Sequence, residues 1–203
     1  GPAMEDLPPE GARATFVAMA KLADAPRGDI ASVKDISIPG PGGDIAARIY
    51  DNRPDRAAGP IMVFYHGGGF VIGDLDTHDG YCAEAARQLD MPVVAIDYRL
   101  APEHPFPAAP DDCEAAARWV AQHLRCTGLI LSGDSAGGNL AIATALTLRD
   151  KPAHQPVIAI FPIYPAVSTH TDWQSYRDFK TGHLLTEAGM QYFGDAYRWV
   201  EDD

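Results

Sequence analysis

Short, unbroken apolar runs set the rhythm of the chain from residue 60 onward: Ile61 to Tyr65, Val93 to Ile96, Leu129 to Leu131 and Val157 to Ile163. A strand that is apolar at successive positions is buried on both faces, as in a parallel sheet covered by helices. Between the runs lie helix-length segments rich in Ala, Leu, Glu and Arg, at Asp79 to Leu89, Asp111 to Leu124 and Ala136 to Leu148. This alternation predicts a mostly parallel, doubly wound α/β sheet with helices on both faces. Ahead of it the rhythm differs. Phe16, Val17, Met19, Ala20, Leu22 and Ala23 recur at helical spacing behind Pro8-Pro9, which predicts an amphipathic helix. Val33, Ile36 and Ile38, then a Pro/Gly turn at 39–44, then Ile45, Ala47 and Ile49 predict two antiparallel edge strands. No internal repeat, low-complexity tract or linker marks a second independent domain.

Composition narrows the partners. A length of 203 residues suits one domain with a real core. Sixteen Lys plus Arg against 28 Asp plus Glu give a net charge of -12, which repels phosphate backbones and anionic lipid and argues against nucleic acid or membrane as partner. Cys82, Cys113 and Cys126 are odd in number and lack CxxC spacing, so they read as free thiols in a reducing compartment. No apolar run approaches the roughly 18 residues of a membrane span, and no basic-then-apolar leader opens the chain, so a cytoplasmic location is expected. Residues 1–3 read as the remnant of a cleaved tag, with native numbering starting at Met4.

The chemistry is concentrated in two places. Gly133-Asp134-Ser135-Ala136-Gly137 is a GxSxG placed between a predicted strand and a predicted helix, the context in which this motif forms a sharp turn that leaves a nucleophilic serine exposed at a helix N-terminus. His66-Gly67-Gly68-Gly69-Phe70 follows the buried run Ile61 to Tyr65; three successive glycines let backbone N–H groups converge on one point and hold a tetrahedral oxyanion. Between them Asp97 to Ala108 is proline-rich, with Arg99 and Glu103 as a candidate ion pair supporting the glycine loop or merely stiffening a surface connection.

These motifs, with Asp97-Tyr98-Arg99-Leu100-Ala101-Pro102-Glu103, Gly73 to His78 and Gly182 to Thr186, resemble the hormone-sensitive-lipase (bacterial family IV) branch of the α/β-hydrolase carboxylesterases. The resemblance implies an α/β-hydrolase fold with a helical cap. It divides the chain into an N-terminal cap helix region at 4–30, the first part of the catalytic domain at 31–165 and a truncated cap segment at 166–203. It implies that Ser135 is the nucleophile and that Gly68, Gly69 and Ala136 supply the oxyanion N–H groups, with His66, Gly67 and Asp134 in support. His66 would brace the glycine loop without itself being catalytic. The substrate class implied is short to medium acyl esters, with no metal and no organic cofactor; a homodimer is among the assemblies the resemblance allows.

The chain departs from that pattern after Ser135. In this fold the triad acid and histidine follow on loops after later strands. Only Val157 to Ile163 reads as a later strand, so the last strands and the triad Asp and His are expected to be missing, and this stretch alone to be inactive. His154, His170 and His183, with Asp172 and Asp178, are present, but a Ser135, Asp178, His183 triad conflicts with the reading of this segment as cap. His78, His104 and His123 read as surface or helix-packing residues. Two other functions share the motifs: a small-molecule-binding homologue that keeps the serine without turnover, and an amidase or lactonase.

Overall fold

The computed structural model describes residues 3–168 and 170–198. The expected tag remnant therefore lies outside the described residues at Gly1 and Pro2, as do Thr169 and positions 199–203 of the expected cap segment.

Among the described residues six strands form one sheet in the order β1-β2-β4-β3-β5-β6. The hairpin of β1 (Ser32–Gly40) and β2 (Gly43–Asp51) is antiparallel, and β2 continues antiparallel onto β4 (Val93–Asp97). From there β3 (Gly59–Tyr65), β5 (Cys126–Asp134) and β6 (Val157–Ile163) join β4 in parallel. The hairpin was expected to supply two edge strands; only β1 is one, because β2 spends its second edge on β4. Helices α2 (Asp79–Gln88), α3 (Ala108–His123) and α4 (Ala136–Asp150) fill the crossovers. Helix α1 (Pro9–Ala23) precedes the sheet, with a proline at its first turn, and α5 (Gln174–Phe179) and α6 (Glu187–Tyr197) follow it.

Alternation along β3 explains why an unbroken apolar run is right here. Met62 and Phe64 point to one face and bury against Cys82, Ala83 and Ala86 of α2, while Ile61, Val63 and Tyr65 point to the other and bury in the cluster that holds Cys113, Ala116 and Ala117 of α3 and Leu140 of α4. All three cysteines are buried and unpaired.

The same expectation fails for Val157 to Ile163. In β6 Ile158, Ile160 and Phe161 are 56%, 46% and 57% exposed. Among the described residues it is an edge strand, paired on one side only with β5, and although α4 packs against it these side chains stay about half exposed. The amphipathic helix is likewise only partly buried: Ala12 is enclosed and Phe16 packs on the core, but Leu22 stands in solvent.

The parallel strands finish together. Tyr65 pairs with Ile96 and Gly133, and Asp134 pairs with Ile163, so the loops that follow β3, β4, β5 and β6 open at one end of the sheet. Ligands of open α/β sheets bind outside this carboxyl end.

Candidate active site

Ser135 is the single residue between β5 and α4, and it turns the chain with φ 53° and ψ -115°. A side-chain-bearing residue held there stores about 1–3 kcal/mol of backbone strain and needs its surroundings to enforce it. Three backbone bonds do so: Ser135 N–H donates to the Ile163 carbonyl at 2.9 Å, and the N–H groups of Asn139 and Ala166 donate to the Ser135 carbonyl, each at 3.1 Å. The turn is also close-packed. A Cβ at Gly137 would lie 1.9 Å from the Tyr65 carbonyl oxygen, so only glycine lets α4 start this near to β3. Ala136 opens α4 with its N–H at the positive end of the helix dipole.

The glycine loop sits alongside. Gly68, Gly69 and Phe70 all adopt positive φ, and the N–H groups of Val71 and Ile72 close a turn onto the Gly68 carbonyl at 3.0 Å each. Two side chains anchor the loop. His66 Nδ1 lies 2.8 Å from the Gly67 carbonyl, which can only accept, so the ring hydrogen is on Nδ1. Tyr98 stacks on that ring at 4.4 Å, and its hydroxyl donates to the His66 carbonyl at 2.6 Å. Burial, and then the neighbouring His78, draw the His66 imidazole down to about 4, so it is neutral near pH 7. The second anchor is Asp134, whose Oδ1 accepts from Gly67 N–H at 2.8 Å.

Asp134 has another partner that was not expected. His78 Nε2 lies 3.2 Å from the same Oδ1. Burial works against the charge on Asp134, but the hydrogen bonds from His78 and from Gly67 N–H outweigh it and hold the carboxyl below its ordinary value. The reading of His78 as a surface or helix-packing residue is thus corrected: its ring touches the residue preceding Ser135. The expected Arg99–Glu103 pair is corrected too. Arg99 instead forks onto the fully buried Asp112 at 2.8 and 2.9 Å, and Glu103 pairs with Arg13 of α1 at 2.6 Å. Arg13 also donates to the carbonyls of Val71 and Ala101, tying α1 to the segment just beyond the glycine loop. Neither partner is visible in sequence, since both pairs close over long loops.

Helix α6 roofs the loop. Thr186 caps it by accepting from Gly189 N–H at 3.0 Å, and the Phe193 ring lies where a Cβ on Gly69 would be, 2.3 Å from the nearest ring carbon. Tyr197 stacks on Phe70 at 3.9 Å.

The residues after Ser135 that could have completed a triad make no hydrogen bond to it. His154, His170, His183, Asp172 and Asp178 are all exposed. His183 Nδ1 faces the Thr181 carbonyl at 2.9 Å, and Asp178 accepts from Gln174 at 2.7 Å. Among the described residues no histidine is hydrogen-bonded to the Ser135 hydroxyl, and no group of three or more His, Cys, Asp or Glu is placed to hold a metal ion.

Over residues 62–203 the chain matches the family described as alpha/beta hydrolase fold. It is 46% identical over 156 residues to esterase LipI of Mycobacterium tuberculosis, an alignment covering 72% of this chain and 48% of that protein. It is 43% identical over 176 residues to carboxylic ester hydrolase LipN of the same organism, covering 81% and 46%. Among solved structures it is similar to an esterase of Pyrobaculum calidifontis, at 40% identity and TM-score 0.86, covering 97% of this chain and 66% of that one. It is also similar to ester hydrolase EH1AB1 from the Lake Arreo metagenome, at 35% identity and TM-score 0.91, covering 100% and 66%. The chain thus spans about half the length of the curated relatives it matches.

Proposed function

The chain belongs to the α/β-hydrolase-fold family, and from that premise we propose that it is the serine-bearing part of a carboxylic ester hydrolase with Ser135 as nucleophile. The observation that carries this reading is Ser135 held at φ 53° on the strand-to-helix turn, beside a glycine loop bound to its neighbour Asp134. The esterase relatives favour an ester over the amide or lactone alternatives.

In this reading Ser135 Oγ attacks the ester carbonyl and the carbonyl oxygen takes up negative charge against the N–H groups of Gly68, Gly69 and Ala136. The alcohol departs to leave an acyl-enzyme, which water hydrolyses. His66 is neutral and turned onto its own loop, so it braces and does not act as base. We place the base and its orienting acid outside the described residues. Helices α1 and α6 act as the cap, and Phe193 over Gly69 limits the depth of the acyl pocket. Acyl chains of about two to eight carbons should therefore react best, each buried CH₂ contributing roughly 0.8 kcal/mol until the pocket is full.

The test is turnover of aryl esters of graded acyl length by the full-length protein. We expect Ser135→Ala to lower kcat by about three or more powers of ten. A Ser135→Ala variant that keeps its rate would remove the assignment, and equal turnover of long-chain triglyceride would remove the size limit.

A further inference from the structure

We propose that His78 is a positioning residue for the reaction at Ser135: through Asp134 it fixes the first N–H of the glycine loop and hence the aim of the oxyanion donors. This rests on the serine-hydrolase reading above.

Asp134 Oδ1 gathers two donors from elements distant in sequence, Gly67 N–H at 2.8 Å from the loop after β3 and His78 Nε2 at 3.2 Å from the residue that caps α2. Because Asp134 directly precedes Ser135, any rotation of its carboxyl shifts the glycine loop relative to the nucleophile. The carboxylate can only accept, so the hydrogen on this side of His78 sits on Nε2. The other nitrogen, Nδ1, meets Thr77 Oγ1 at 3.0 Å. Thr77 Oγ1 is itself fixed, accepting from Asp74 N–H at 3.1 Å, and its single proton lies between two acceptors, His78 Nδ1 and the Asp74 carbonyl at 2.8 Å. The faces of the imidazole are confined by Phe64 at 5.7 Å, His66 at 6.0 Å and Phe16 at 6.5 Å. The ring is therefore contacted at both nitrogens and flanked by three other rings, and it delivers one hydrogen bond to the one carboxylate that ties the loop to the elbow. Space-filling alone does not call for that arrangement. Without the donor, the partly exposed Asp134 carboxyl is free to turn toward water and release Gly67 N–H. Oxyanion donors misplaced by about 1 Å cost on the order of tenfold to a hundredfold in rate.

Two variants of the full-length protein decide the matter. His78→Phe keeps an aromatic ring and removes the donor, while His78→Gln keeps an N–H that can reach the carboxylate. We expect His78→Phe to lose about tenfold or more in kcat on an aryl ester with KM changed by less than about twofold, the signature of an interaction that matters only in the transition state. The Gly67 amide should exchange faster with solvent in the same variant, and His78→Gln should restore most of both. Should His78→Phe not fold, His78→Met removes the donor with a more adaptable side chain. Unchanged kcat and Gly67 exchange in a donor-less variant would overturn the proposal. Equal losses in His78→Phe and His78→Gln that track thermal stability would overturn it as well, since they describe a packing role. Turnover independent of Ser135 would instead remove the hydrolase reading, and the Gly67 exchange rates would then decide the linkage alone.

Discussion

At the scale of single residues, the buried His66 and the partly buried Asp97 set opposing pH responses. The His66 imidazole is drawn from 6.5 to about 4, chiefly by burial. Folding thus favours its neutral form; this contribution is complete above pH 6.5 and fades as the pH falls toward about 4. Asp97 is pushed from 3.8 to about 6 by burial, with Asp74 and Asp76 adding to it. Folding here favours the protonated form, so its contribution is complete below 3.8 and fades as the pH rises toward about 6. The two largely offset each other in the native protein. Asp97→Asn should unmask the histidine, giving a stability that falls by up to roughly 3 kcal/mol between pH 6.5 and 4, read from urea midpoints at stepped pH. A variant curve that runs parallel to the native one over this range would contradict this. The residues that define the elbow and the loop are contiguous in sequence, which is why Ser135 and Gly67 to Gly69 stand out as a candidate site from the chain alone. The part played by His78 could not, because its partner Asp134 is 56 positions away and nothing local distinguishes a histidine that holds a carboxylate from one that fills a gap.

Among the elements, two arginines do different work on either side of the glycine loop. Arg99 forks onto Asp112, whose side chain is wholly buried in α3, while the guanidinium itself is 26% exposed, so Asp112→Ala removes the partner of a bidentate pair and the acceptor of Arg99 N–H and should cost about 2–3 kcal/mol. Arg13 pairs with a Glu103 that is 49% exposed, so solvent discounts the ion pair and its two bonds to backbone carbonyls dominate. Arg13→Ala should cost about 1–2 kcal/mol, mainly by freeing α1, and Arg13→Lys should not restore it because an ammonium cannot span the same fork. Chemical denaturation of both variants checks the order; a larger loss for Arg13→Ala would contradict it. The elements themselves were legible where their periodicity was strong: α2, α3, α4 and the two-sided strands β3, β4 and β5 fall where the pattern places them. Burial of β6 was misjudged because hydrophobicity reports what a strand can bury, and coverage depends on which neighbours are present.

On the scale of the whole fold, the sheet of the described residues has one blunted edge and one apolar one. β1 at the first edge exposes Lys34, Asp35 and Ser37, whereas β6 at the other presents Ile158, Ile160 and Phe161, with Tyr164 and Val167 just beyond it. An edge of that kind pairs with whatever chain it meets. Residues 1–203 expressed alone should therefore self-associate at micromolar concentration, and Ile160→Lys together with Phe161→Lys should shift the population toward monomer in light scattering; an unaltered native monomer would count against this. Among the described residues no helix is long and apolar enough to cross a membrane. The central claim is that Ser135 is the group that attacks an ester. It is tested most directly by treating the full-length protein with an aryl organophosphonate and locating the adduct by peptide mass mapping. One adduct on the peptide carrying Ser135, absent from Ser135→Ala, is the predicted result; an adduct on any other residue, or an equal yield from Ser135→Ala, would contradict it.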